Sequence, residues 1–324
     1  MQSTQQILQI VNREIENLVH PEQPSELYAP ISYTMALGGK RLRPVLCLHS
    51  CDMFGGDISK AIMPALGIEM FHNFTLVHDD IMDNAPVRRG HPTVYKKWNT
   101  NIAILSGDTM FAKAYELVAE SDPPILQRIL KVFTQTAIEV CEGQQYDMNF
   151  ESMADVSIPD YLMMIRLKTA VLIAASLKVG ALVAGAPDED AANVYAFGEN
   201  IGMTFQLQDD FLDVYSDPDV FGKQTGGDIA TNKKTYLILK ALEEGTNQQK
   251  NELRELFHQV LEENATKISR VKEIYSNIGI HRYTKEMMLH YYHNAIGFLD
   301  KISLSQERKI HLRTFANNLM ERNY

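Results

Sequence analysis

The chain has 324 residues, 45% of them hydrophobic, which is enough to fill a substantial core, and its net charge is -10. That acidity, without any block of Lys and Arg, excludes a binder of nucleic-acid backbones, so any phosphate the protein takes must be met by a local site. No apolar run approaches about eighteen residues, so no membrane-spanning helix is expected, and the amphipathic stretch over residues 1–19 does not read as a signal peptide. Cys47, Cys51 and Cys141 lack metal-type spacing; Cys47 and Cys51, four apart in an apolar helical pattern, read as reduced core residues of a cytoplasmic protein.

In chain order, Leu8, Val11, Ile15 and Leu18 recur at helical spacing and predict an amphipathic first helix over residues 4–19. The chain turns at Pro21 and Pro24. A short helix over 27–37 stops at Gly38 and Gly39, and Pro44 opens the next, over 45–53, from a first-turn position. A long apolar run predicts a helix over 61–83, followed by a loop with Pro86, Gly90 and Pro92. Further helices are expected over 101–120, over 125–150 after a break at Pro123 and Pro124, from Ser157 and Pro159 to Gly185, and over 188–214. A Gly-rich loop over 221–231 precedes more helical pattern, with breaks near Gly245, Asn264, Gly279 and Leu304. No alternating apolar and polar stretch bounded by hairpin turns occurs. The fold class is therefore all-α, a bundle of roughly ten or more helices around a central cavity, and residues 1–324 are expected to form one domain.

Two of these helices end in one acidic pattern, Asp-Asp-X-X-Asp: Asp79, Asp80 and Asp83 on the first, Asp209, Asp210 and Asp213 on the second. Carboxylates on one helix face repel each other, and hard oxygen ligands at this spacing suit Mg2+ that brings its own phosphate ligand. One such cluster alone reads equally well as a solvated helix end. Two are much harder to assign to chance. On a helical wheel His72, Asp79 and Asp83 fall within about 40° of one another, and Gln206, Asp210 and Asp213 form a second stripe with Asp209 at its margin. So much negative charge cannot be buried uncompensated, and divalent ions bridging to a polyphosphate are its natural counterpart. Basic residues flank both patterns: Lys40, Arg41 and Arg43 before the first helix, Arg88 and Arg89 after it, Lys168 beside Thr169 in mid-chain, and Lys223 and Lys233 after the second. Each alone reads as surface charge. Together they suit a chemistry with metal-held phosphate on one side and phosphate held by Arg and Lys on the other.

In this order of markers the chain resembles the trans-prenyl diphosphate synthases, the all-α family that joins five-carbon isoprenyl units. The likeness is carried by Gly39, Lys40, Arg43 and Pro44, by the first aspartate motif with Arg88, Arg89 and Gly90, and by Gly143 and Gln144 with Asp147. Lys168 and Thr169, Phe205 and Gln206 with the second motif, and Gly222, Lys223, Gly227, Asp228 and Lys233 complete it, over residues 37–236. The resemblance implies that an allylic diphosphate is held by Asp79, Asp83 and Asp209 through Mg2+, expected as about three ions with the substrate diphosphate as co-ligand. Asp80, Asp210 and Asp213 would support these ligands, and Arg88, Lys168, Thr169, Gln206, Lys223 and Lys233 would face the same diphosphate. Isopentenyl diphosphate would sit on Lys40, Arg43, His72 and Arg89. Departure of diphosphate leaves an allylic cation that the homoallylic double bond attacks before a proton is lost; no dedicated general base stands out, and the departing diphosphate is the implied proton acceptor. Asp108 and Asp147 read either as orienting residues or as helix caps. A homodimer is also implied.

Product length would depend on what blocks the apolar tunnel beneath the first motif. Phe74 lies five residues before Asp79, about 7.5 Å along a helix, with Phe71 and Met70 a turn further down. In the resembling family, short-chain enzymes carry large residues four or five positions before the motif; here Phe74 is large and Thr75 small. That favours a fifteen- or twenty-carbon product, with twenty preferred, so geranylgeranyl diphosphate is expected and farnesyl diphosphate is the alternative. The wheel puts Phe74 about 140° from Asp79, so spacing alone does not aim its ring at the tunnel. A class I terpene cyclase would not need Lys40, Arg43 and Arg89, and a noncatalytic partner subunit would not need both aspartate motifs intact.

Overall fold

The computed structural model describes residues 2–216, 225–258 and 264–321, and it is all-α. The helices are α1 (Thr4–Glu16), α2 (Ser25–Ala36), α3 (Leu42–Met53), α4 (Ile62–Met82), α5 (Val94–Lys97), α6 (Thr100–Ala119), α7 (Pro123–Ser152), α8 (Ile158–Ile165), α9 (Val171–Val183) and α10 (Asp188–Tyr215). They continue with α11 (Gly227–Ala230), α12 (Tyr236–Glu244), α13 (Asn247–His258), α14 (Asn264–Ile278), α15 (Ile280–Lys301) and α16 (Gln306–Met320). Extended structure among the described residues is one antiparallel pair in the loop after α4, with β1 (Val87–Arg88) set against β2 (His91–Pro92).

Local chemistry explains most of the boundaries. Ser3 and Gln6 form a capping box at α1, and Ser157 with Asp160 does the same for α8, each satisfying amide groups that the first turn leaves open. Pro123 and Pro124, expected to break the chain, instead occupy the first two positions of α7, where a missing N–H costs nothing. The stretch expected to run unbroken to Gly185 is interrupted: between α8 and α9 the helix widens into a π turn over Arg166–Ala170. In α1 the buried stripe is Ile7, Val11 and Ile15, one residue off the expected Leu8 at its start.

The described residues gather into two compact units. The first comprises Met1–Gln135, Ala175–Tyr195 and Ile302–Leu312, and the second Thr136–Ala174, Ala196–Lys301 and Arg313–Tyr324. In the first unit α4 and α6 run antiparallel at short range. A Cβ on Gly107 of α6 would lie 2.3 Å from His78 Nε2 of α4, and one on Gly67 of α4 would lie 2.7 Å from Val118 Cγ2 of α6, so only glycine allows this approach at either end. Cys47 and Cys51 are buried in the same unit with no disulfide. The second unit closes around Tyr161, Ile165, Leu207, Phe211, Tyr275 and Met288. Each unit carries one of the acidic helix ends.

Candidate active site

In the first unit, Asp79, Asp80 and Asp83 lie at the C-terminal end of α4, and Asp83 is its cap residue, donating its amide to Asp79 O at 2.8 Å. This is the wrong end of a helix for carboxylates, because the helix dipole already concentrates negative charge there and each acid adds about 0.3–1 kcal/mol of repulsion. A cation is therefore in demand. Asp80 turns inward, with its side chain 5% exposed, and accepts from Arg88 Nε at 2.7 Å. Burial raises its pKa and Arg88 opposes that shift, with the net effect upward. Asp79 stays half-buried and Asp83 exposed, which leaves these two as the carboxylates of this end accessible to an ion.

Two turns before Asp79 on α4, His72 is surrounded by arginines. Burial, followed by the charges of Arg43, Arg89, Arg88 and Arg41, holds its pKa well below 6.5, so the imidazole is neutral at physiological pH. Arg89, on the loop after α4, donates through Nη1 to the carbonyl of Gly38. Lys40 is exposed on the loop before α3. The sequence-expected set Lys40, Arg43, His72 and Arg89 thus belongs to one unit, with Arg43, Arg88 and Arg89 grouped around the histidine. Arg41, whose place in the sequence reads as surface charge, is instead fully inside, bonded to Glu69 Oε1 at 2.9 Å and to Met35 O at 2.6 Å. Both Arg41 (φ 47°) and Arg89 (φ 53°) adopt left-handed backbone, at a cost of roughly 1–2 kcal/mol each, so the surrounding contacts must hold them there.

Of the four residues expected to set chain length, Met70 and Phe71 are buried in the core of this unit. Phe74 is half-buried; its ring lies 5.1 Å from Phe111 of α6 and 4.8 Å from His78. Phe71 joins the same aromatic group, 5.6 Å from Phe74 and 5.5 Å from Phe133. Thr75 donates its hydroxyl back to His72 O at 2.8 Å. Asp108 lies 3.8 Å from His78 Nε2 and is largely exposed.

In the second unit the π turn carries Lys168 and Thr169. Gly143 of α7 lies beneath it, where a Cβ would come within 2.3 Å of the Lys168 amide nitrogen. Lys168 Nζ donates to Asp147 Oδ2 at 2.6 Å, and Lys233 Nζ lies 4.0 Å from the same oxygen. Burial alone would raise the pKa of Asp147, but Lys233 and Lys168 outweigh it and hold the carboxyl below its usual range. Asp147 thus pairs with both lysines. Thr169 donates to Gln206 Oε1 at 3.0 Å, and Gln206 Nε2 donates to Asp210 Oδ1 at 3.0 Å. Tyr161, which nothing in the sequence singled out, donates its hydroxyl to the other oxygen of Asp210. Asp213 accepts from the amides of Gly227 at 3.2 Å and Asp228 at 3.0 Å, fixing the start of α11. Burial, then neighbouring carboxylates, push Asp228 upward, and burial also raises Asp210 against its hydrogen bonds. Asp209 stands exposed. Lys223 lies outside the described residues.

Among the described residues no three His, Cys, Asp or Glu side chains are gathered closely enough to hold a metal by themselves. Mg2+ accepts one or two carboxylates and completes its shell with phosphate oxygens and water. Asp79 and Asp83 in the first unit and, separately, Asp209 in the second are oxygen donors with solvent access, the donor type this ion takes.

Comparison with known proteins points the same way. The polyprenyl synthetase family profile matches residues 24–278. A geranylgeranyl diphosphate synthase of Methanosarcina mazei is 40% identical over 237 residues, 72% of this chain and 73% of that protein. A geranylfarnesyl diphosphate synthase of Aeropyrum pernix is 42% identical over 226 residues, 68% of this chain and 71% of that one. A crystal structure of a geranylgeranyl pyrophosphate synthase superimposes with a TM-score of 0.95 at 42% identity, covering all of both chains.

Proposed function

The chain belongs to the polyprenyl synthetase family and is a prenyltransferase, and from that premise we propose that it condenses isopentenyl diphosphate with an allylic diphosphate to make geranylgeranyl diphosphate. The observation that carries the reading is the division of labour on α4: Asp79 and Asp83 at its negative end, and two turns earlier a neutral His72 among four guanidinium groups. One end suits phosphate brought by metal, and the other suits phosphate without metal. A catalyst that only ionises one diphosphate has no use for the second.

In this reading Asp79, Asp83 and Asp209 would hold about three Mg2+ ions with diphosphate as co-ligand, and bound Mg2+ supplies neutralisation of the charge that grows on the leaving diphosphate. Asp80, Asp210 and Asp213 anchor the motifs through Arg88, through Tyr161 and Gln206, and through the amides of Gly227 and Asp228. Arg88, Lys168, Thr169, Gln206, Lys223 and Lys233 would face the allylic diphosphate. Lys40, Arg43, His72 and Arg89 would hold isopentenyl diphosphate, His72 as a neutral hydrogen-bonding partner rather than a further charge. Phe74, backed by Phe111, would end the tunnel. The relatives at similar identity carry names with different product lengths, so the proposed length rests on Phe74.

The same reading treats residues 1–324 as one catalytic domain and includes a homodimer in the cytoplasm. Exposed Ile104 and Leu105 on α6 are consistent with a protein partner. No described helix is long and apolar enough to cross a membrane. The test is to incubate the purified protein with Mg2+, isopentenyl diphosphate and dimethylallyl, geranyl or farnesyl diphosphate in turn, with products read by mass spectrometry. A twenty-carbon diphosphate is expected. Release of diphosphate without consumption of isopentenyl diphosphate would point to a cyclase, and absence of turnover to a noncatalytic subunit.

A further inference from the structure

We propose that the buried Arg41–Glu69 pair is a positioning element for the pocket of the second, metal-free diphosphate; the proposal rests on the assignment of Lys40, Arg43, His72 and Arg89 to isopentenyl diphosphate. Arg41 stands between two of those ligands in sequence, yet its guanidinium is buried and engaged by the protein itself. Its Nη1 donates to Glu69 Oε1 at 2.9 Å and its Nη2 to Met35 O at 2.6 Å, with both charged side chains almost without solvent exposure. Glu69 is itself fixed: Asn73 Nδ2, one turn along α4, donates to Glu69 O at 2.8 Å and to Oε1 at 3.3 Å. Glu69 also lies one turn before His72 on the same helix. The pair therefore ties the loop that bears Lys40 and Arg43 to the helix that bears His72.

The loop needs such a tie. Gly38 and Arg41 hold left-handed backbone, and the loop is gripped on another side by Arg89, whose guanidinium bonds Gly38 O. With Arg41 fastened inward, Lys40 stays exposed and Arg43 is left in the group around His72. Glu69 also neutralises Arg41 locally, which lets a fourth guanidinium sit near the others without a full fourth repulsion. Stability is a poor alternative explanation, because a buried ion pair gives little over an apolar pair of the same size.

The decisive variant is therefore the double substitution Arg41→Met with Glu69→Leu, which keeps the volume and removes both charges together. It should melt close to the parent. Its KM for isopentenyl diphosphate should rise roughly tenfold or more, as small displacements of binding groups do, while the KM for the allylic diphosphate and kcat at saturation stay near those of the parent. Glu69→Gln, which keeps an acceptor for Arg41, should fall in between and serves as the readout if the double variant does not fold. Calorimetric titration with isopentenyl diphosphate in the absence of Mg2+ should show the same order of affinities. An unchanged KM for isopentenyl diphosphate in the folded double variant, or in Glu69→Gln if the double does not fold, would overturn the proposal, as would an equal rise for both substrates. Failure of the functional reading would show separately, as a parent protein that consumes no isopentenyl diphosphate.

Discussion

The two acidic helix ends share a sequence pattern and satisfy it by opposite means. At the end of α4 the middle carboxylate, Asp80, is neutralised by a cation, Arg88. At the end of α10 the middle carboxylate, Asp210, bonds only to Tyr161 and Gln206, both uncharged, and burial raises its pKa against those bonds and the more distant charge of Lys233. The surroundings differ in the same sense: arginines crowd His72 near the first end, while Asp228 joins Asp210 near the second. The repeated motif is thus set at one end against a directly bonded arginine, and at the other against uncharged partners with Lys168 and Lys233 held one residue further off by Asp147.

The largest test of this contrast concerns the outward acids, where the ends should behave alike. Asp79→Ala and Asp209→Ala should each lower kcat/KM by about a hundredfold or more, as losses of groups that stabilise transition-state charge do, measured by initial rates of prenyl transfer. The middle acids should differ. Asp80→Asn weakens the partner of a half-buried arginine and should lower stability by about 1–3 kcal/mol in denaturant titration, whereas Asp210→Asn keeps both hydrogen-bonding neighbours and should cost under about 1 kcal/mol. Equal losses would dissolve the distinction.

Acidity should pull the ends in opposite directions. His72 has a folded pKa below its ordinary 6.5, so its contribution is intact above pH 6.5 and is lost as pH falls below that value; His72→Gln should remove a loss on the order of 1–2 kcal/mol between pH 7 and pH 5. Asp228 has a folded pKa above its ordinary 3.8, so its contribution is intact below pH 3.8 and is lost as pH rises toward neutrality. Asp228→Asn should therefore stabilise the metal-free protein at pH 8 and change little near pH 4, seen in melting temperatures across a pH series. The smallest effect on rate is expected from Phe74→Ala, which should extend the product beyond twenty carbons in mass spectra while turnover stays near that of the parent. An unchanged product spectrum would remove Phe74 from that role.

Helices such as α4 were legible because a long apolar run and its acidic end are local signals. Spacing alone did not separate the acids of each motif: it left Asp209 at the margin of its stripe, and only the resemblance set Asp79, Asp83 and Asp209 apart. In the structure Asp80 and Asp210 are buried while Asp79 and Asp213 are both half-buried. What stayed hidden depends on partners far away in the chain. Arg41 reads as a surface charge until Glu69, 28 positions on, is seen against it. Tyr161 is one more aromatic in an apolar helix until its hydroxyl meets Asp210, 49 positions away. The direction of Phe74 was undetermined on a wheel, since it is set by Phe111 on another helix.

The π turn over Arg166–Ala170 carries one residue more than the regular helix on either side of it. Dropping one residue there would let α8 and α9 join as a single uninterrupted α-helix, the easiest shortening the buried backbone could absorb. It would also turn Lys168 by about 100° relative to α9 and carry it away from Asp147. The number of residues in this turn therefore decides whether Lys168 and Asp147 meet at all.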